Sequence, residues 1–248
     1  MLKRTLLVLT AAGSTLGGAA QAAELASVSR LAFGPDGTLF VADWKAAQVG
    51  ALSLPPVTAT RPDAPFNVMD LDAAIQPVLG ATDGRLESLA KRPGTTEVYL
   101  AVSVGPDWRP AILVAAPDGV VRALDVPRLS ATVAKLENPP AGDFRFWNQT
   151  PMRSFTVTDM QWHAGKLYVA GVSNGTFASS LRILGTPFDG SQTVTSVAMY
   201  HTTHNQVETR APIRGQFVTR RLSTAARSMH HAGSARTFGK RASVQSPG

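Results

Sequence analysis

The 248-residue sequence has no cysteine. Disulfides, cysteine-ligated zinc and CxxCH haem attachment are therefore excluded, and with them a lipoprotein anchor near the N-terminus. Long apolar runs are also lacking. The most hydrophobic stretch, from Leu6 to Ala20, is broken by Gly13, Ser14, Thr15, Gly17 and Gly18. It falls short of the roughly 18–20 apolar residues that a membrane-spanning helix needs. Acidic residues are absent beyond Glu208, whereas eight Lys and Arg fall within residues 209–248. The formal charge of +7 is thus a property of the tail. Residues 1–208 carry 16 basic against 17 acidic side chains, and a net of −3 once Lys3 and Arg4 are set aside. An ordinary, mildly acidic body gives no reason to expect nucleic acid as a partner.

What is present at the N-terminus is an export signal. Lys3 and Arg4 form a positive start, the small and apolar stretch follows, and Ala20-Gln21-Ala22 supplies an A-x-A cleavage pattern. The mature chain is expected to begin at Ala23, with no integral membrane segment left after cleavage. The alanine-rich leader has a bacterial character, so the expected destination is the periplasm or the medium.

Within the body one local pattern recurs: an apolar stretch, a turn containing glycine, then a β-rich stretch. Leu31-Ala32-Phe33 meets Gly34-Pro35-Asp36-Gly37 and continues as Leu39-Phe40-Val41-Ala42. Ile112-Leu113-Val114 meets Pro117-Asp118-Gly119, then Val121-Arg122-Ala123-Leu124-Asp125-Val126. Met160-Gln161-Trp162 meets His163-Ala164-Gly165, then Leu167-Tyr168-Val169-Ala170. Leu181-Arg182-Ile183-Leu184 leads to Asp189-Gly190 and Thr193-Val194, and a looser version turns at Pro93-Gly94. Proline suits the first corner of a turn, Asp bonds its own backbone, and glycine takes positive φ without steric cost. Such turns between apolar runs predict hairpins. The runs at Phe40, Tyr99 and Tyr168 are nearly continuous, which predicts strands covered on both faces. The run 121–126 alternates, which predicts one covered face. Asp70-Leu71-Asp72-Ala73-Ala74 predicts the start of a short helix. Residues 54–68 and 138–151 read as long loops.

The class that follows is all-β. Repeated antiparallel units with buried strands predict a β-propeller-like arrangement, about three blades plus a fragment, over residues 23–214. The spacings of 59 and 69 residues between Phe40, Tyr99 and Tyr168 exceed the usual blade length of about 40–50 residues, so the loops are long. A two-sheet sandwich is the competing architecture. The run from Leu31 through Asp43 resembles a blade of the NHL, YVTN and SMP-30-like propeller superfamily. The stretches 174–182 and 200–214 resemble an exported bacterial family of propeller-like proteins without an assigned activity. This resemblance implies a propeller fold and carries no catalytic residues across. In that family β-strands continue past the equivalent of Ile213-Arg214. Here residues 215–248 have no Trp, Tyr, Asp or Glu and are dense in Arg, Ser, Ala and His. The tail is expected to be disordered, and its composition matches a frameshift near codon 214. A genuine basic tail for nucleic acid or a membrane is the alternative, against which stand the missing aromatic interleaving and amphipathic period.

Three sets of residues invite chemistry. His201-Thr202-Thr203-His204, with Glu208 beyond, would hold a divalent metal if the segment were helical, since i and i+3 imidazoles then share a face. On a strand the two imidazoles would diverge, and a polar hydrogen-bonded loop is the simpler reading. Asp43-Trp44-Lys45 and Asp107-Trp108-Arg109 each place an acid, a Trp and a base just past a buried strand. There they would form a binding rim for a ring stacking on Trp, if they are not ordinary strand-end residues. Asn174 follows the third buried strand in the same way. Arg85, Glu87 and Ser88 are read as preceding a strand, and no nucleophile elbow surrounds Ser88. No phosphate loop, dinucleotide fingerprint or EF-hand is present. The sequence therefore predicts an exported binding or scaffold protein for a small-molecule or protein ligand. A propeller enzyme, of lactonase-type hydrolase or quinoprotein-like oxidoreductase chemistry, is the alternative, and a truncated copy without function is a third.

Overall fold

The structure is a computed structural model that describes residues 21–57, 67–146, 148–175, 178–203, 205–208, 212, 213 and 215. Residues 1–20 of the leader, Trp147, His204 and nearly all of the tail lie outside the described residues. Turn chemistry sets the local structure. Gly37, Gly94, Gly119, Gly165 and Gly190 all have φ between 70° and 84°, a region closed to most side chains. Asp36, Asp118 and Asp189 each accept a hydrogen bond from the backbone N–H two residues on, at 3.1, 3.0 and 2.8 Å. These are the bonds that make Asp a turn residue.

The strands are β1 Gln21–Ala22, β2 Leu31–Phe33, β3 Leu39–Asp43, β4 Gln48–Ser53, β5 Gly84–Lys91, β6 Val98–Val104, β7 Arg109–Ala115, β8 Val121–Ala123, β9 Ser130–Lys135, β10 Asp159–His163, β11 Lys166–Val172, β12 Ser179–Gly185, β13 Gln192–Ser196, β14 Met199–His201 and β15 Gln206–Glu208. One helix, α1 Leu71–Leu79, precedes β5. The class is all-β: a sheet in the order β1-β9-β4-β3-β2, a sheet β5-β6-β7-β8, a sheet β10-β11-β12-β13, and the β14-β15 hairpin, with every pairing antiparallel.

The first sheet is the middle layer. Leu39 and Val41 of β3 pack with Tyr99, Ala101, Ile112 and Val114 of the second sheet. Phe40 and Ala42, on the opposite face, pack with Met160, Leu167, Val169 and Leu184 of the third. Successive strand residues face opposite ways, so the continuous apolar run of β3 serves two cores at once. β6 does the same: Tyr99 and Ala101 face the first sheet, while Leu100 and Val102 meet Ile75 of α1. The helix begins where expected, its Asp70 cap accepting from Ala73 N at 2.9 Å, and ends at Gly80 with φ 62°.

Spatial order differs from chain order. After β8 the chain returns to complete the first sheet with β9, then proceeds to the third sheet. β9 (Ser-Ala-Thr-Val-Ala-Lys) has little apolar signal because it pairs beside β4 without a fully buried face. The alternating run 121–126 is also shorter than its pattern: β8 ends at Ala123, and Val126 sits in a 3-10 turn with Pro127, which has no N–H to extend a ladder. Arg85, Glu87 and Ser88 lie within β5, not ahead of it. Gln21 and Ala22 pair with Ala131 and Ser130. Cleavage after Ala22 would remove β1 and leave the buried Ala23, whose N–H donates to Leu129 O at 3.0 Å, as the first residue.

The three sheets are tied where β2, β5 and β10 run close together. Arg30 donates from Nε to Thr158 O at 2.5 Å and from Nη1 to Glu87 O at 2.9 Å, and Ser88 Oγ accepts from Leu31 N at 3.1 Å. One side chain thereby joins residues from all three layers.

Candidate functional site

Two neighbouring hairpins build the site. Between β3 and β4 the turn closes from Ala47 N to Trp44 O at 3.3 Å; between β6 and β7 it closes from Trp108 N to Gly105 O at 3.2 Å. In the hairpins at Gly34 to Gly37 and at Ala116 to Gly119 the closing residue is glycine. Here it is Ala47, with φ 49°, and Trp108, with φ 58°. A bulky residue in this region costs about 1–2 kcal/mol. Such strain concentrates where a side chain must be presented in one direction.

Asp43 is part of the support. It is 1% exposed, and its carboxylate accepts from Ala26 N at 2.8 Å, Ser27 Oγ at 2.6 Å and Ala46 N at 3.2 Å. Ser27 Oγ in turn accepts from Lys45 N at 2.8 Å. The acid beside Trp44 therefore shapes the turn from beneath.

Above it the two tryptophans meet edge to face, with ring centroids 5.6 Å apart and planes at 78°. The Arg85 guanidinium lies over the Trp108 ring, 3.9 Å from its centroid. Glu87 Oε1 holds Arg85 from the side, at 2.9 Å to Nε and 2.7 Å to Nη2. The pairing of β5 with β6 slips between Leu86 and Ser88, so Glu87 occupies a β-bulge. A bulge re-aims the side chains around it. Lys45 Nζ lies 5.7 Å from the Trp44 ring centroid and donates to Asp107 O.

Two clefts flank this stack. One, of about 370 Å³, is lined by Ser29, Arg30, Arg85, Glu87, Trp108 and Thr158 among others. The second, of about 520 Å³, is lined by Lys45, Asp107, Arg145, Asn148 and Gln149. Trp44, Arg85, Trp108 and Thr150 border both. Ser29 is 6% exposed, and its hydroxyl has no hydrogen-bond partner among the described residues. A buried polar group left so costs about 1–3 kcal/mol. A comparable hollow of about 500 Å³ between the first and third sheets, bordered by Phe40, Trp162 and Pro187, has a chiefly apolar lining.

The far wall of the clefts is held by cations on backbone carbonyls. Arg153 donates to Pro140 O at 3.0 Å and to Lys45 O at 3.2 Å, and Arg145 to Gln149 O at 3.0 Å. Beneath it, the fully buried Arg182 donates to Glu137 O, Val172 O and Ser180 Oγ at 3.0–3.1 Å. Burial pulls the Arg182 pKa down to about 10, with the Glu137 charge opposing.

Of the residues expected at a site, Trp44 and Trp108 come together and Asp107 lines the second cleft, while Asp43 lies below. Asn174 follows β11, in the loop of the third sheet that corresponds to those carrying Trp44 and Trp108 in the first two. It lines neither cleft, and its N–H donates to Asn138 O at 2.8 Å. Of the proposed metal set, His204 lies outside the described residues. His201 and Glu208 end the strands of an antiparallel hairpin, in register with Gln206 and Met199 respectively, so the backbone there is not the helix that an i, i+3 pair requires. Among the described residues no three His, Asp or Glu gather as a metal set, and no helix is long and apolar enough to cross a membrane.

Sequence reasoning missed Ser29, Arg30, Arg85, Glu87 and Arg145. For Arg85 and Glu87 a signal existed: opposite charges two apart on a strand share a face. Ser29 and Arg30 had none, since only the stacking of sheets brings them to the cleft. In comparisons with family models, curated proteins and solved structures, the chain matches none.

Proposed function

We propose that this is an exported, propeller-like binding protein whose ligand lodges beside Trp44, Trp108 and Arg85. The observation that carries the reading is the strained presentation of Trp108 over a cleft lined by Ser29, whose buried hydroxyl has no partner among the described residues. The propeller-like part draws support from three antiparallel sheets packed face to face, with β2 beside both β5 and β10. In a propeller, turns that follow the second strand of each blade gather at one mouth. The tryptophans lie on such turns. Export to the periplasm or medium rests on the leader pattern.

Ligand binding to the purified full chain, followed by tryptophan fluorescence and calorimetry, tests this. Saturable binding that Trp108→Ala abolishes is the expected result. If every ligand found binds Trp108→Ala as well as the native chain, the site is misplaced. If instead the protein hydrolyses lactones and retains a metal that His201→Ala loses, the enzyme reading replaces this one. Fractionation of the producing cells tests the export.

A further inference from the structure

The charge around the tryptophan stack narrows what it would bind. Four cations line the two clefts: Arg30, Lys45, Arg85 and Arg145. Two acids stand against them, Glu87 and Asp107. Glu87 is committed to Arg85. Arg30, Lys45 and Arg145 are all held by backbone carbonyls. A carbonyl orients a cation without cancelling its charge, so the rim keeps a positive excess.

Arg85 is the group most ready to meet a ligand. Trp108 supports its flat face and Glu87 uses Nε and Nη2. A guanidinium carries five N–H donors in a fixed fork, so the Nη1 side of the fork serves an incoming acceptor. Its side chain is 55% exposed, against 14% for Glu87. Ser29, in the same cleft, adds a buried hydroxyl with no partner among the described residues. A rigid cation, a buried donor and aromatic edges fit one ligand chemistry: an anionic headgroup on a flat ring.

We infer that the smaller cleft takes a small planar anion, an aromatic carboxylate or phosphate, with its charged oxygens on Arg85 and Ser29 and its ring beside Trp108. This rests on the binding function proposed above. Carboxylate and phosphate sources share this chemistry, and the probes separate them. Binding of benzoate, benzamide, phenyl phosphate, inorganic phosphate and the neutral disaccharide sucrose is measured by calorimetry on the full chain, at low and high salt.

The expected result is that benzoate or phenyl phosphate binds at least about 10-fold more tightly than benzamide, and more weakly as salt rises. The tighter of the two identifies the headgroup. Phenyl phosphate exceeds inorganic phosphate because the ring contributes. Ser29→Ala weakens the anion about 10-fold while leaving the urea midpoint unchanged or higher, since it deletes an unsatisfied hydroxyl. A solely structural serine would not split affinity from stability in this way. Arg85→Gln weakens the anion by a further 10-fold or more. Equal binding of benzamide and benzoate, or binding of sucrose alone, overturns the inference and leaves the binding function standing. Inorganic phosphate binding as tightly as phenyl phosphate overturns the planar part. If none of the five probes binds, the anion inference falls; if a wider ligand screen is blank too, the binding function falls with it.

Discussion

Removing the Asp43 carboxylate should loosen the turn that carries Trp44 without touching the ligand. In Asp43→Ala three hydrogen bonds are lost, from Ala26 N, Ser27 Oγ and Ala46 N. The Ser27 bond is the most consequential, because Ser27 is fully buried and the acceptor is ionised: about 1.5–3 kcal/mol. The two backbone donors are nearer the surface, where water takes over in part, leaving about 0.5–1.5 kcal/mol each. The sum is about 2.5–6 kcal/mol, and for a chain of this size it lowers Tm on the order of 10 °C. Asp43→Asn keeps one acceptor oxygen and should lose only about 1–2 kcal/mol. Urea unfolding followed by tryptophan fluorescence measures both. At a temperature where Asp43→Ala remains folded, its ligand affinity should fall by less than that of Trp108→Ala. A stability loss under about 1 kcal/mol would refute the supporting role. So would intact stability with abolished binding, which would place Asp43 on the ligand.

Other perturbations probe the frame. A Cβ on Gly171 would stand 2.1 Å from Thr156 O and 2.8 Å from Phe155 O, both backbone atoms, and Phe155 lines the smaller cleft, so Gly171→Ala should cost at least about 2–3 kcal/mol in chemical unfolding. Burial first, and the Glu97 carboxylate second, raise the Tyr99 pKa above 10.0. The neutral phenol's stabilisation is complete below pH 10 and is lost as pH rises through the folded-state value. Tyrosinate absorbance should accordingly show one late-titrating tyrosine, absent in Tyr99→Phe, whose stability falls less steeply above pH 10. Protein recovered from the periplasm or medium should begin at Ala23 by intact mass; retention of the leader would defeat the export reading.

The residue pattern alone determined the all-β class, the hairpins and the helix start. These follow from short-range chemistry: Asp bonds a backbone N–H two residues away, and glycine alone takes φ near 80° cheaply. The same pattern marked β3 and β6 as covered on both faces, because a run without polar alternation has nowhere to face water. Tertiary structure decided what covers them. The short connection from β8 to β9, residues 124–129, carries no periodic trace of a change of sheet, so the placement of the first sheet between the other two was not legible in order along the chain. It also divided the residues of one motif. In Asp43-Trp44-Lys45 the acid goes under the turn, the indole into the stack and the base to the rim, a division set by the strand's alternation and by the neighbouring hairpin. Ser29 shows the limit most clearly: a serine in Ser27-Val28-Ser29-Arg30 says nothing by itself, and its hydroxyl becomes a site feature only because packed sheets enclose it with no partner among the described residues.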